Sequence, residues 1–144
     1  MNIRSATEQD FEAVYILLTE FAAFHGSSDK VYTTVEQLKR DKDLFQCLIV
    51  ETDDKCIVGF ASHFYTYYSW SGKALYIDDL YVTQSCRKQG IGKALLDAIV
   101  QKAKENNCFK VRWQTSNWNH DAIAFYKSYG AEIDEVEINC DYVL

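Results

Sequence analysis

Arg87, Gly90 and Gly92 follow an R-x-x-G-x-G order inside RKQGIGKALL (87–96), where a strand-like apolar run hands over to a helical one. Glycines remove the Cβ atoms from a turn, so successive main-chain N–H groups can converge on an anion. The start of a helix adds partial positive charge there, and Arg87, Lys88 and Lys93 add full charges. The chemistry this permits is the gripping of a phosphate or diphosphate. Two familiar phosphate loops do not match. A dinucleotide fingerprint needs Gly or Ala where Leu95 stands. A triphosphate loop needs glycine and a hydroxyl residue where the chain has Arg87 and Ala94. A diphosphate-holding turn and a plain strand-to-helix turn both stay open on spacing alone.

LYIDDLYV (75–82) sets two adjacent carboxylates, Asp78 and Asp79, inside an apolar strand pattern. Neighbouring strand residues face opposite sides, so one of the pair turns toward the core unless a bulge exposes both. Burying a carboxylate unpaired is costly, so such a strand offers the acid to a ligand, a partner cation or water.

The bulk composition limits what this chemistry can serve. At 144 residues and 48% hydrophobic, the chain suits one globular domain, residues 1–144. A net charge of −6 argues against a nucleic-acid partner and is compatible with a cationic substrate. On so acidic a chain, FYTYYSW (64–70) reads as strand core and subunit surface rather than as a base-stacking platform. Cys47, Cys56, Cys86, Cys108 and Cys140 are dispersed, with no C-x-x-C pair and no histidine at ligand spacing. They read as reduced thiols, and no metal site is expected. MNIRSATEQD has no apolar stretch fit for a signal peptide, and no run is long enough to span a membrane. The expectation is a cytoplasmic protein with no membrane partner.

The elements that would position these residues follow from periodicity. NIRSA is a short first strand; Thr7 and Asp10 form a capping box before a helix marked by Phe11, Val14, Leu18, Phe21 and Ala22, which Gly26 stops. Thr33 with Glu36 caps a shorter helix reaching about Asp41. LFQCLIVE, CIVGFASHFYTYY and ALYIDDLYV are consecutive strands joined by TDDK and SWSGK turns. Ile91, Leu95, Leu96, Ile99, Val100 and Ala103 line one face of a helix to about Asn107, and FKVRWQT is a strand. Asn119 caps HDAIAFYKSYG, which Gly130 ends, and AEIDEVEINCDYVL forms two short strands or one bent strand turning near Asp134. The order predicts an α/β fold, a mixed sheet with helices on both sides.

LYVTQSCRKQGIGKALLDAIVQKAKENNC (80–108) resembles the signature segment of the GCN5-related N-acetyltransferase (GNAT) superfamily. NWNHDAIAFYKSYGA (117–131) resembles that family's second signature, in the right order and after a strand of the right length. With FYTYYSWSGKALYIDDLYV (64–82), the resemblance is strongest to diamine (spermidine/spermine) and thialysine N-acetyltransferases. It implies a GNAT-type fold with a mostly antiparallel mixed sheet, acetyl-coenzyme A as co-substrate, a homodimer, and acetyl transfer to a small polyamine, diamine or lysine-like amine. Direct attack in a ternary complex is implied. A protein or peptide amine, or a non-catalytic acyl-coenzyme A sensor, are the alternative readings. Two features depart from the subfamily: the last two expected strands lack its longer intervening segment with an E-G-W-like turn, and histidine replaces an acidic preference at His25. Both bear on the acceptor rather than on the reaction.

The same resemblance assigns the parts. Acetyl transfer requires a deprotonated amine, a polarised carbonyl and a proton for the departing thiolate. Tyr126 is placed to supply that proton. Asp78 binds the ammonium and accepts its proton through water, with Asp79 in support. Main-chain groups of Leu80, Tyr81 and Val82 run beside the pantetheine arm. Arg87, Lys88, Gln89, Gly90, Ile91, Gly92 and Lys93 hold the diphosphate, and Asn119 bonds the arm or caps its helix. Phe24 and His25 close the acceptor pocket. Basic neighbours could activate Cys86 as a nucleophile, yet its place beside the diphosphate, away from the thioester, makes it a bystander.

Overall fold

The computed structural model describes all 144 residues. Its elements run β1 (Asn2–Ser5), α1 (Phe11–Phe24), α2 (Val35–Arg40), β2 (Gln46–Glu51), β3 (Ile57–Tyr68), β4 (Gly72–Val82), α3 (Ile91–Glu105), β5 (Lys110–Arg112) and α4 (His120–Tyr129). They fall into two compact units, Met1–Trp113 and Gln114–Leu144.

The first unit is a five-stranded sheet in the order β1-β2-β3-β4-β5. All neighbours are antiparallel except β4 and β5, which are parallel. Two apolar faces follow from the period-two alternation of β2, β3 and β4. Phe60 packs with Cys47, Ile49 and Tyr81 against Val14 and Leu17 of α1. On the adjacent residue, a Cβ added to Gly59 would meet Val82 and Leu95 of α3. Adjacent strand residues point to opposite faces, so α1 and α3 cover opposite sides of the sheet. Leu95, Leu96 and Ile99 of α3 are fully buried, as the 3.6-residue spacing requires. Each such side chain contributes about 1.5–3 kcal/mol of burial free energy.

Asp10 anchors the start of α1. Its carboxylate accepts the Thr7 N–H at 2.7 Å and both terminal nitrogens of Arg4 at 2.8 and 2.9 Å. A 3-10 turn, Glu8–Asp10, precedes α1, so the Thr7 capping box opens that turn rather than the α-helix itself. α2 begins one residue later than the sequence pattern indicated. Thr33/Glu36 and Thr34/Gln37 both fit the box, but the Thr34 hydroxyl accepts the Gln37 N–H and the Gln37 amide accepts the Thr34 N–H.

The second unit carries α4, which Asn119 caps by accepting the Ala122 N–H at 3.3 Å, and Gly130 ends it at φ +98°. The strands expected in AEIDEVEINCDYVL are not formed. Val136, Ile138, Tyr142, Val143 and Leu144 are all exposed. Alternating apolar residues make a strand only when one face is packed, and here none is. In place of the expected tight turn near Asp134 there is a bend at Val136, whose N–H donates to the Asp134 carboxylate at 2.9 Å. The strand expected over FKVRWQT shortens to three residues.

Candidate active site

β4 continues past its neighbour. β5 pairs only Ala74, Leu75 and Tyr76, which leaves Ile77–Val82 with no strand on that side. Main-chain groups of successive strand residues point to alternate sides. The Thr83 N–H bonds the Val58 carbonyl of the β3 side at 2.9 Å, so Val82 and Leu80 turn their N–H and C=O toward the open side. Tyr81 turns its main chain the other way, and its carbonyl lies 3.0 Å from the position of an added Gly59 Cβ. Of the three residues expected along a pantetheine arm, Leu80 and the Val82 N–H therefore present backbone, the Val82 carbonyl is held by the Arg87 Nε at 2.9 Å, and the Tyr81 ring is buried on the α1 side.

A β-bulge interrupts the β3–β4 ladder beside this edge. Ser62 pairs with Asp79 and His63 with Ile77, so Asp78 is the extra residue on β4. The bulge resolves the question raised by two adjacent carboxylates. Asp78 is exposed, and Asp79 is partly buried on the α1 face, two residues from Tyr81. The Asp79 N–H donates to the Ser62 hydroxyl at 3.0 Å, and that hydroxyl reaches the Asp79 carboxylate at 3.5 Å. Burial lifts the Asp79 carboxyl to about 6, the Asp78 charge adds to the rise, and the Ser62 hydrogen bond opposes it. Burial also raises Asp78, although its side chain reaches solvent. The two carboxyls are thus unlike, which suits different tasks.

The open edge runs directly into the glycine turn. A 3-10 turn, Gln84–Cys86, leads to Lys88 at φ +61° and Gly90 at φ +81°, the residue that caps α3. The first α3 bond is Ala94 N–H to the Gly90 carbonyl at 3.0 Å, so the N–H groups of Ile91 and Gly92 point out of the helix start. A Cβ at Gly92 would meet nothing within 4 Å, and its φ is not positive. The fold itself does not require glycine there; a ligand approaching the main chain would. With Lys88 exposed alongside, these residues fit a diphosphate group. Gln89 donates to the Ser85 carbonyl at 3.4 Å within the turn, and the Lys93 ammonium pairs with Asp97 at 2.7 Å.

Arg87 is engaged elsewhere than its neighbours. Its Nε donates to the Val82 carbonyl at 2.9 Å, and its guanidinium carbon lies 4.9 Å from the Phe24 ring centre and 5.2 Å from that of Tyr81. The structure thereby brings Phe24, at the end of α1, to the end of β4. The His25 ring meets Phe21 edge-on at 4.5 Å and Phe24 at 5.4 Å, and its Nδ1 lies 3.1 Å from the Phe21 carbonyl. Cys86 is half-buried, its sulfur 3.8 Å from the Ser85 hydroxyl.

Tyr126 and Asn119 belong to the second unit. Tyr126 is the buried side chain of α4, and burial pushes its phenol upward from the ordinary value, so the hydroxyl holds its proton. Two residues were missed by sequence reasoning. Ser62 faces Asp79 only because of the strand register, which no local pattern reveals. Glu20 accepts hydroxyls from Tyr81 at 3.3 Å and Thr83 at 3.4 Å, and in sequence it was one polar residue on an amphipathic helix.

Residues 11–131 match the acetyltransferase (GNAT) family. Spermidine/spermine N(1)-acetyltransferase-like protein 1 of Homo sapiens is 37% identical over 139 residues, covering 90% of this chain and 20% of that protein. Thialysine N-epsilon-acetyltransferase of Bos taurus is 30% identical over 141 residues, covering 90% of this chain and 83% of that protein. The chain thus spans a fifth of the first relative's length and most of the second's. Among solved structures, an aminoglycoside acetyltransferase from an uncultured soil metagenomic sample, in complex with trehalose, superposes with a TM-score of 0.82 at 25% identity, covering 99% of this chain and 95% of that one. Sequence match, sheet order and structural likeness agree, and the chain belongs to the acetyltransferase (GNAT) family of acyltransferase enzymes.

Proposed function

We propose that residues 1–144 work as one N-acetyltransferase domain, moving acetyl from acetyl-coenzyme A to a primary amine of a small polyamine, diamine or lysine-like acceptor. The observation that carries this reading is the unpaired β4 edge followed, through the Gln84–Cys86 turn and the glycine turn, by the N-terminus of α3. Together they offer main-chain groups for an amide-bearing arm and N–H groups for a diphosphate.

Bound there, acetyl-coenzyme A supplies an activated thioester carbonyl. The chain's own groups do the rest. Ile91 and Gly92 donate N–H groups to the diphosphate, with Lys88 adding charge. The Leu80 and Val82 main chain orients the arm, and the Leu80 N–H polarises the carbonyl. Asp78, exposed on the bulge, draws in the ammonium. Asp79, with a carboxyl near 6, holds the proton the amine gives up. The sequence reading gave the base to Asp78; the more buried Asp79 suits that task better, because its basicity lies nearer neutrality. Tyr126 donates the phenolic proton that the departing thiolate needs. The relatives named for spermidine/spermine and thialysine support a small cationic acceptor, and the acidic chain is consistent with one. The homodimer and the cytoplasmic setting remain part of this proposal; no helix is long and apolar enough to cross a membrane.

A thiol-release assay over spermidine, spermine, thialysine, lysine and amino-terminal peptides tests the reading. Release with the small amines and not with peptides is expected. Release with peptides alone would overturn the acceptor class. Tight coenzyme A binding with no release from any amine would overturn the enzyme reading in favour of a sensor.

A further inference from the structure

We propose that Arg87 is a positioning residue that ties the acceptor side of the site to the coenzyme side, instead of contacting phosphate through its guanidinium. This rests on the acetyltransferase reading above. The motif position suggests a phosphate ligand, but the side chain has other partners. Its Nε is spent on the Val82 carbonyl at 2.9 Å, on the open side of β4. Its guanidinium carbon lies 4.9 Å from the Phe24 ring centre and 5.2 Å from that of Tyr81.

Those partners link two parts of the site. Phe24 is in the last turn of α1, and Tyr81, Val82 and Thr83 form the exit of β4. α1 grips the same exit a turn earlier, where Glu20 accepts the Tyr81 and Thr83 hydroxyls and Phe21 lies 5.3 Å from the Tyr81 ring. Arg87 adds contacts of its own to Phe24, Tyr81 and Val82. Phe24 remains 47% exposed, with the guanidinium carbon 4.9 Å from its ring centre. His25 rests in turn on Phe21 and Phe24. Moving Arg87 therefore displaces the Phe24–His25 pair, while the glycine turn keeps its own main-chain N–H groups and Lys88.

Guanidinium chemistry makes the role specific. A flat, weakly hydrated cation can stack on two rings and still donate in its plane to a carbonyl. An ammonium at that position keeps the charge and loses both the stacking and the planar donor. Arg87→Lys thus separates positioning from phosphate binding, since a lysine can still attract a diphosphate.

The experiment compares wild type, Arg87→Lys, Phe24→Ala and the double variant, with spermidine and thialysine as acceptors. Coenzyme A affinity is read by calorimetry. Arg87→Lys and Phe24→Ala should each raise the amine KM by about tenfold, with kcat and coenzyme A Kd within about threefold. The double variant should be no worse than either single one, because both remove one shared contact. An unchanged amine KM with weakened coenzyme A binding, or additive losses in the double variant, would overturn the proposal. Hydrogen exchange across residues 20–26 of the ligand-free protein decides the tie without any turnover: Arg87→Lys should speed it by about tenfold, and unchanged exchange refutes the tie. If wild type releases no thiol with any amine, the acetyltransferase reading fails, and the exchange result still accepts or rejects the tie.

Discussion

The Ser62 hydroxyl sits across the β3–β4 ladder from Asp79, accepting its N–H at 3.0 Å and lying 3.5 Å from its carboxylate. A single long hydrogen bond does not offset burial, and the Asp79 carboxyl rises to about 6. If Asp79 takes the amine's proton, kcat/KM should climb as pH rises through about 6 and the carboxylate forms. Asp79→Asn should remove that limb and lower kcat/KM by about 10²–10⁴-fold, the range for losing a general base. A retained limb near pH 6 in the Asn variant would assign it to another group.

The same shift has a stability consequence of opposite sense to an ion-paired acid. The folded pKa lies above the ordinary value of 3.8, so between about pH 4 and 6 the folded chain holds more protons than the unfolded one. Stability from this group therefore falls as pH rises through that window, and the penalty is complete above about 6. Asp79→Asn should stabilise the protein at pH 8 by up to about 3 kcal/mol, and the advantage should vanish below about pH 4. Urea unfolding at the two pH values reads both outcomes. Equal stability of the two proteins at pH 8 would show that the carboxylate is well solvated.

Gly90 and Gly92 should separate a folding requirement from a binding one. Gly90 holds φ +81°, so Gly90→Ala should cost about 1 kcal/mol of stability through backbone strain. Gly92→Val meets open space around its Cβ and a helical backbone, where valine is no worse a helix former than glycine, so the fold should survive. Coenzyme A affinity in Gly92→Val should fall at least about tenfold, corresponding to 1.4 kcal/mol or more. Native-like melting together with wild-type coenzyme A affinity in that variant would remove the diphosphate from this turn.

The contrast between these glycines shows what the sequence could disclose. Helices α1, α3 and α4 and strands β2, β3 and β4 were legible because burial imposes a period on the residues that build them. The R-x-x-G-x-G turn was legible because positive φ and close approach leave few residue choices. The partners of Asp79 and Arg87 were not. Ser62 meets Asp79 through a bulge that changes the register by one residue, and a bulge leaves no trace in alternation. Arg87 meets Phe24 across more than sixty positions of chain, and motif spacing alone points its charge at phosphate. The final segment misled for a related reason, since EVEINCDYVL carries strand-forming residues without the packed face that would make them a strand.

Arg4, Asp10 and Glu51 form the acid-sensitive link of the sheet edge. Arg4 donates to Asp10 at 2.8 and 2.9 Å and to Glu51 at 3.1 Å. The Arg4 hydrogen bond is the main reason that the Asp10 carboxyl falls to about 2. Its folded pKa is below the ordinary value, so its stabilisation is present above about pH 4 and is lost as pH falls toward 2. Asp10→Asn should destabilise the fold by about 1–3 kcal/mol at pH 7 and by much less at pH 2.5, because it replaces the carboxylate that pairs with Arg4 by a neutral amide. A loss of equal size at both pH values would show that the amide, not the charge, matters.

Tyr126 offers the cleanest separation of chemistry from packing. Burial raises its phenol pKa, so the hydroxyl remains a proton donor across the whole range in which the amine reacts. Tyr126→Phe keeps the ring that α4 buries and removes only the oxygen, which should change stability by no more than about 1.5 kcal/mol. If that proton reaches the departing thiolate, kcat should fall by about 10²–10⁴-fold while coenzyme A affinity holds. Single-turnover kinetics make the test decisive, because they expose the acetyl-transfer step even when product release limits kcat. An unchanged single-turnover rate in Tyr126→Phe would leave the tyrosine as a core residue of α4 and require another donor for the thiolate.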